Sequence, residues 1–193
     1  QWVYLPTDGV HNNEHIVSTE VNSKGWAIRL AYDGTSGDHR VYFTVHTDKG
    51  TINPYLETQN YSTGWHLIQG VFDGSDASAT LYFDGIFIKK FFAGGGAPAA
   101  ITYEPNAKLH VGVKQTTGDL PDTPNPFTVT GGPSGCNKTS QTTTFFTGTI
   151  DEILIWDKVT TGLEASSLYH NGADILYAAD TTPPGNPSLT LEN

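Results

Sequence analysis

His11-Asn12-Asn13-Glu14-His15 is the first stretch whose residue types could do chemistry. It fits the His-x-x-Glu-His pattern of inverted zinc proteases, which needs a helix so that two histidines one turn apart share a metal. Here an Asp8-Gly9 turn precedes it and the β-branched Ile16 and Val17 follow. In a strand, residues four apart lie about 13 Å from each other, too far for one zinc. The stretch therefore reads as a polar loop. Paired carboxylates are the next candidate. Glycoside hydrolysis needs two acids held roughly 5 to 9.5 Å apart across the bond. On one strand that means Glu-x-Asp-x-Glu or similar, and no such segment exists. Asp151 and Glu152 are neighbours, so in a strand their side chains point to opposite faces. Cys136 has no histidine near it in sequence, and no Gly-x-Ser-x-Gly occurs. The expectation is a protein without catalytic residues and without a cofactor.

The remaining chemistry is modification and charge. Cys136 is the single cysteine, so the fold relies on no internal disulfide. It follows Gly131-Gly132-Pro133-Ser134-Gly135 and reads as an unused thiol, with intermolecular pairing as the alternative. Asn60-Tyr61-Ser62 and Asn137-Lys138-Thr139 are N-glycosylation acceptors in loops, whereas Asn186-Pro187-Ser188 is excluded by its proline. The threonines of Thr142-Thr143-Thr144 and Thr181-Thr182-Pro183 are candidates for O-linked sugars. Twenty acidic against ten basic residues give a formal charge of −10. That disfavours nucleic acid and anionic membrane surfaces as partners. No apolar run approaches the ~20 residues needed to span a bilayer. Gln1-Trp2-Val3 reads as strand rather than signal peptide, and a chain opening on glutamine reads as trimmed or as part of a longer gene product.

The elements that must position any site are strands. A length of 193 residues suits one domain with a sizeable core, and 21 glycines, 11 prolines and no methionine suit strands and turns. Strand signals recur at Trp2–Leu5, His15–Thr19, Trp26–Tyr32, Arg40–His46, Trp65–Phe72, Thr80–Phe83, Ile86–Phe91, Lys108–Val113 and Phe145–Trp156. Asp84-Gly85, between two of them, is the strongest short hairpin signal. Many short strands with Gly- and Asp-rich turns predict an all-β fold, a two-sheet antiparallel sandwich or barrel. One helix is credible, over 161–170, with a threonine cap, Glu164 in its first turn and Gly172 as its stop. Residues 116–144 form a long loop rich in Pro, Gly, Thr and Asn, the kind that binds or makes an interface.

Three segments carry a family resemblance. They are GWHLIQGVFDGSDASATLYFDGIFI, KLHVGV, and FTGTIDEILIWDKVTTGLEASSLYHNG, in that order. Together they resemble the laminin-G-like, concanavalin-A-like jelly-roll family over residues 1–177. The resemblance implies a jelly roll in which Val71, Phe72, Leu81 and Phe83 fill one layer, Trp65 and Trp156 anchor the core, and Gly148 lets Phe146 and Ile150 approach the opposite sheet. Asp151, in an apolar run, needs a partner, because an unpaired buried carboxylate is costly. Family members sometimes bind calcium near such loops; no specific motif for it occurs here, and a hydrogen-bonded structural aspartate is the reading adopted. The family also implies glycans as partners, with Tyr61, Tyr103 and the 116–144 loop as candidate contacts.

The departure from the family matters more. Its members usually begin with one or two strands before the segment corresponding to Gln1-Trp2-Val3-Tyr4, and here they are absent. The expectation is a sheet one strand short, with Trp2, Val3 and Tyr4 as an open acceptor edge. Residues 178–193 then supply a proline-rich arm and a strand-like run, Ser188-Leu189-Thr190-Leu191-Glu192. Thr181–Pro187 would reach about 20 Å as a polyproline-like arm. The function expected is a non-catalytic structural subunit, extracellular or at the cell surface. It would form a homo-oligomer or homopolymer head to tail by donating that strand to a neighbouring copy. The alternative is a carbohydrate-binding or adhesion module of a larger secreted protein.

Overall fold

A computed structural model describes residues 1–5, 13–33, 38–57, 62–113, 146 and 148–173. Asn60, Tyr61, Cys136, Asn137, the 116–144 loop, the arm 178–193 and its strand Ser188–Glu192 lie outside the described residues. The described chain runs β1 (Trp2–Leu5), β2 (Glu14–Ser18), β3 (Gly25–Asp33), β4 (Asp38–Thr47), β5 (Gly50–Ile52), β6 (Tyr55–Glu57), β7 (Gly64–Asp73), β8 (Ser78–Phe83), β9 (Ile86–Phe92), β10 (His110–Val111), β11 (Thr149–Asp151) and α1 (Gly162–Ala173). The strands form two antiparallel sheets. One has the order β11-β1-β7-β8-β9; the other runs β10-β2-β3-β4-β5, with β6 also pairing β4. This is the all-β sandwich with one short helix that the sequence predicts.

Period-two alternation places the core. Val3, Leu5, Ile68, Leu81 and Phe83 face inward from the first sheet and meet Ile28, Leu30, Val41 and Phe43 of the second, all of them buried. Gly70 matters here: a Cβ at that position would fall 2.5 Å from the Phe43 ring, so the ring occupies the place of its side chain. The same alternation corrects one expectation. Val71 and Phe72 are adjacent and cannot share a layer; Phe72 packs on the core, whereas Val71 faces outward and joins Tyr82 and Ala165 in a separate cluster.

That outer cluster is the seat of α1. The helix opens with a capping box: the Thr161 N–H donates to Glu164 Oε2 at 2.8 Å, and the Glu164 N–H donates to Thr161 Oγ1 at 3.3 Å. Lys158, then Thr161, hold the Glu164 carboxyl down at about 2. Tyr169 stacks on Trp2, ring centroids 5.9 Å apart. The helix therefore covers the outer face of the first sheet. Gly172 is no stop, because the helix runs to Ala173. Trp65 and Trp156 are not core anchors: Trp65 is half-buried edge-on to Tyr4 on the outer face, and Trp156 is exposed.

Candidate strand-acceptor site

β1 is an interior strand. On one side Trp2, Val3 and Tyr4 pair with Asp151, Ile150 and Thr149; on the other, Trp2 to Leu5 pair with Leu67 to Gly64. Trp2, Val3 and Tyr4 therefore present no open acceptor edge, which corrects the sequence expectation. The reason is that the strand after the long loop returns to cover them. Gly148 fits that return, because a Cβ there would strike Phe146 and the Tyr4 carbonyl.

The opening lies one strand over. β7 has ten residues, but the β1 side reaches only as far as Ile68, whose N–H donates to the Gln1 carbonyl at 3.0 Å. From Gln69 to Asp73, β7 pairs with β8 alone among the described residues. Alternate N–H groups of a strand point to alternate sides. Ile68 donates toward β1, so the Gly70 and Phe72 N–H groups point toward the unpaired side.

Beside this half-strand lies a cavity of about 680 Å³. Its floor includes Ile28 and Phe43 of the second sheet. One wall is Gln69–Phe72; the opposite wall is the chain after β11, residues 152–160. Two primary amides line it. Gln1 is 9% exposed, and both of its amide heavy atoms are buried without a hydrogen-bond partner among the described residues; Gln69 Oε1 is in the same position. An unpaired buried polar group costs about 1–3 kcal/mol. The slot is lined by many apolar side chains, by the Gln1 and Gln69 amides, and on its far wall by the charged Glu152, Asp157 and Lys158.

The other sequence candidates are dispersed. Tyr103 is 53% exposed and lines the slot. Asp151 is exposed and accepts the Glu152 N–H at 2.9 Å, so it is not the buried carboxylate expected. Glu14 and His15 lie on β2, in strand geometry. Among the described residues, no group of three His, Cys, Asp or Glu side chains is placed to hold a metal.

Sequence reasoning missed one polar constellation. His66 Nδ1 lies 2.7 Å from Asp84 Oδ2 and Nε2 lies 2.8 Å from the Ser62 carbonyl, while Asp84 Oδ1 accepts the Leu67 N–H at 2.9 Å. Burial pushes the imidazole pKa down, but the bonds to Asp84 and Ser62 and the Asp84 charge outweigh it and hold the value above the ordinary one. With no nucleophile among these contacts, the constellation works as a lock between β7 and the β8–β9 turn.

No family model and no curated protein matches the chain. Among solved structures, the chain is similar to part of an S-layer domain-containing protein from Clostridium thermocellum, at 14% identity over 86% of this chain and 67% of that one, with a TM-score of 0.35.

Proposed function

We propose that this protein is a non-catalytic structural subunit of an extracellular or cell-surface assembly, in which Ser188–Glu192 of one copy fills the slot beside β7 of the next. The observation that supports the reading is the stretch Gln69–Asp73, which pairs with β8 alone among the described residues, beside the cavity. The donor run and the open stretch are the same length. Laid antiparallel to β7, Ser188 meets Asp73, Leu189 meets Phe72, Thr190 meets Val71, Leu191 meets Gly70 and Glu192 meets Gln69. Leu189 and Leu191 then face the core, each contributing roughly 1.5–3 kcal/mol if fully buried. Glu192 comes beside the Gln69 amide, and the strand ends at Gln1. Repeated head to tail, the contact builds a fibre or closes into a ring. Kinship with the laminin-G-like jelly rolls belongs to the same proposal and is supported by the order of the three sequence segments.

Light scattering tests the reading. Wild-type chain should form assemblies that grow with concentration, and Leu189→Asp with Leu191→Asp should return monomers. A monomeric wild type, or an assembly indifferent to the double change, ends the proposal. The exposed Tyr103 in the slot lining favours glycan binding as the second reading. Glycan-array binding lost on Tyr103→Ala, with assembly absent, would support that instead.

A further inference from the structure

The outer face of the second sheet carries a row of cations and aromatic rings. Val41 and Phe43 of β4 point into the core, so alternation turns Arg40 and Tyr42 outward. Opposite Tyr42 stand Arg29 on β3 and Tyr55 on β6; opposite Arg40 stands Glu57. The Arg29 guanidinium lies over the Tyr42 ring, 4.7 Å from its centroid, and the Arg40 guanidinium lies over the Tyr55 ring at 4.4 Å. Lys89 reaches across from β9 of the first sheet and sets its ammonium 3.5 Å from the same Tyr55 centroid. The two ring centroids are 5.6 Å apart. Three of the ten basic residues of an acidic chain thus converge on two neighbouring rings, and all five side chains are half-buried.

We infer that this row binds an acidic polysaccharide, taking its carboxylate or sulfate groups on Arg29, Arg40 and Lys89. A guanidinium laid on a ring keeps its N–H groups in its own plane, directed past the ring edge, which is how arginine takes oxyanions. Arg29 is held further: Nε donates to Thr44 Oγ1 at 3.2 Å and Nη1 to Asn13 Oδ1 at 2.6 Å, while Nη2 is in neither bond. Arg40 is held through Nη1, which donates to the Tyr42 hydroxyl at 3.4 Å. Ordering these side chains before the ligand arrives lowers the entropy that binding must overcome. Two cations on one ring repel, and an anion between them relieves the repulsion. Glu57 Oε1, 3.8 Å from Arg40 Nη2, does so in part and competes with the ligand. The same geometry argues against other polyanions. Single-stranded nucleic acid stacks its bases on open aromatic faces, and here cations lie on the rings. A peptide docks on a sheet by adding a strand. β4, at the centre of the row, is already paired on both sides, with β3 on one and with β5 and β6 on the other.

Titration of the full chain with polygalacturonate and dextran sulfate, beside neutral dextran and poly-glutamate, tests the inference. At low salt the chain should bind one or both acidic polysaccharides and not dextran, and the binding should weaken as salt is raised. Arg29→Gln with Arg40→Gln should weaken it roughly tenfold or more, and Glu57→Gln should tighten it. Lys158→Gln, beside α1 on the opposite face of the sandwich, should leave it unchanged. A thermal melt shows whether the double variant is folded; if it is not, Lys89→Gln carries the test and should weaken binding severalfold. Light scattering of the double variant should match wild type, so this site and the slot beside β7 stand or fall separately. Dextran bound as tightly as the acidic polysaccharides, or binding indifferent to the changes at Arg29, Arg40 and Lys89, overturns the inference. A preference for poly-glutamate also overturns it and assigns the row to an acidic peptide. Failure to bind any of the polymers overturns it outright.

Discussion

In the first sheet, the terminal strand β9 and the half of β7 that pairs with β8 alone among the described residues are built in opposite ways. β9 pairs with β8 alone among the described residues and shows the devices that blunt an edge. Its register slips between Leu81 and Tyr82, Lys89 turns over the Tyr55 ring at 3.5 Å, and Lys90 is tied to Asp76 at 3.0 Å. Phe87 and Phe91 are engaged edge-on by Tyr82 and Tyr55. The open half of β7, Gln69-Gly70-Val71-Phe72-Asp73, has none of this. Its register with β8 is regular, and it contains no lysine and no proline. β9 carries the features that oppose strand addition, and the open half of β7 lacks them. That difference, more than the cavity alone, supports the proposal that a strand binds beside β7.

The comparison breaks most severely at Gly70. Gly70→Val drives a branched side chain into the space held by the buried Phe43 ring, which must shift to admit it. Overpacking of this kind costs about 3 kcal/mol, at the upper end of its usual range. Denaturant unfolding should show that loss, while Gly95→Val, at a position where a Cβ meets nothing within 4 Å, should cost less despite its positive φ. Equal losses at the two sites would mean that Gly70 does not seat Phe43.

The paired half of β7 offers a smaller, pH-dependent effect. A neutral imidazole has one N–H and can donate to Asp84 or to the Ser62 carbonyl, but not to both. The pKa of folded His66 lies above the ordinary histidine value, so the folded state holds the proton more tightly than the unfolded one. The stability from this lock is complete below the unfolded pKa of about 6.5 and is lost as pH rises through the folded value. Thermal melts should therefore show wild type losing stability as pH rises from mildly acidic to mildly basic. His66→Gln should flatten that step and leave assembly through the open half intact.

Much of the sandwich was legible in sequence, for a physical reason. Arg40–His46, Trp65–Phe72 and the Asp84-Gly85 hairpin announce themselves because alternation and turn chemistry are local, and Asp84 and Gly85 do take the positive φ values of 52° and 72° that the tight turn requires. Burial of Trp156 was misjudged because it depends on which strand lies alongside, which is not a local property. Phe145–Trp156 reads as one long strand, yet among the described residues only Thr149–Asp151 finds a ladder, against Trp2–Tyr4. The acceptor edge was misplaced for the same reason. β11 covers β1, and the stretch of β7 that pairs with β8 alone among the described residues lies beyond Ile68.

The smallest change in stability gives the sharpest test of the comparison. Lys89 defends β9 through its charge over Tyr55, an interaction worth about 0.5–1 kcal/mol at a partly exposed site. Gln69 is half-buried on the open stretch and pairs across with Tyr82, so a lysine stem can lie along the outer face with its ammonium toward solvent. Gln69→Lys places on the bare edge the residue that natural edges use against pairing, and Lys89→Gln takes it from the defended one. Each should move the unfolding free energy by less than about 1 kcal/mol. Their effects on assembly should be opposite. Gln69→Lys should weaken the head-to-tail contact and shift light scattering toward monomers. Lys89→Gln should leave that contact alone and add a second association through β9, one that persists when Leu189 and Leu191 are both changed to Asp. If the two variants assemble alike, edge chemistry does not distinguish β7 from β9, and the slot must owe its specificity to cavity shape alone.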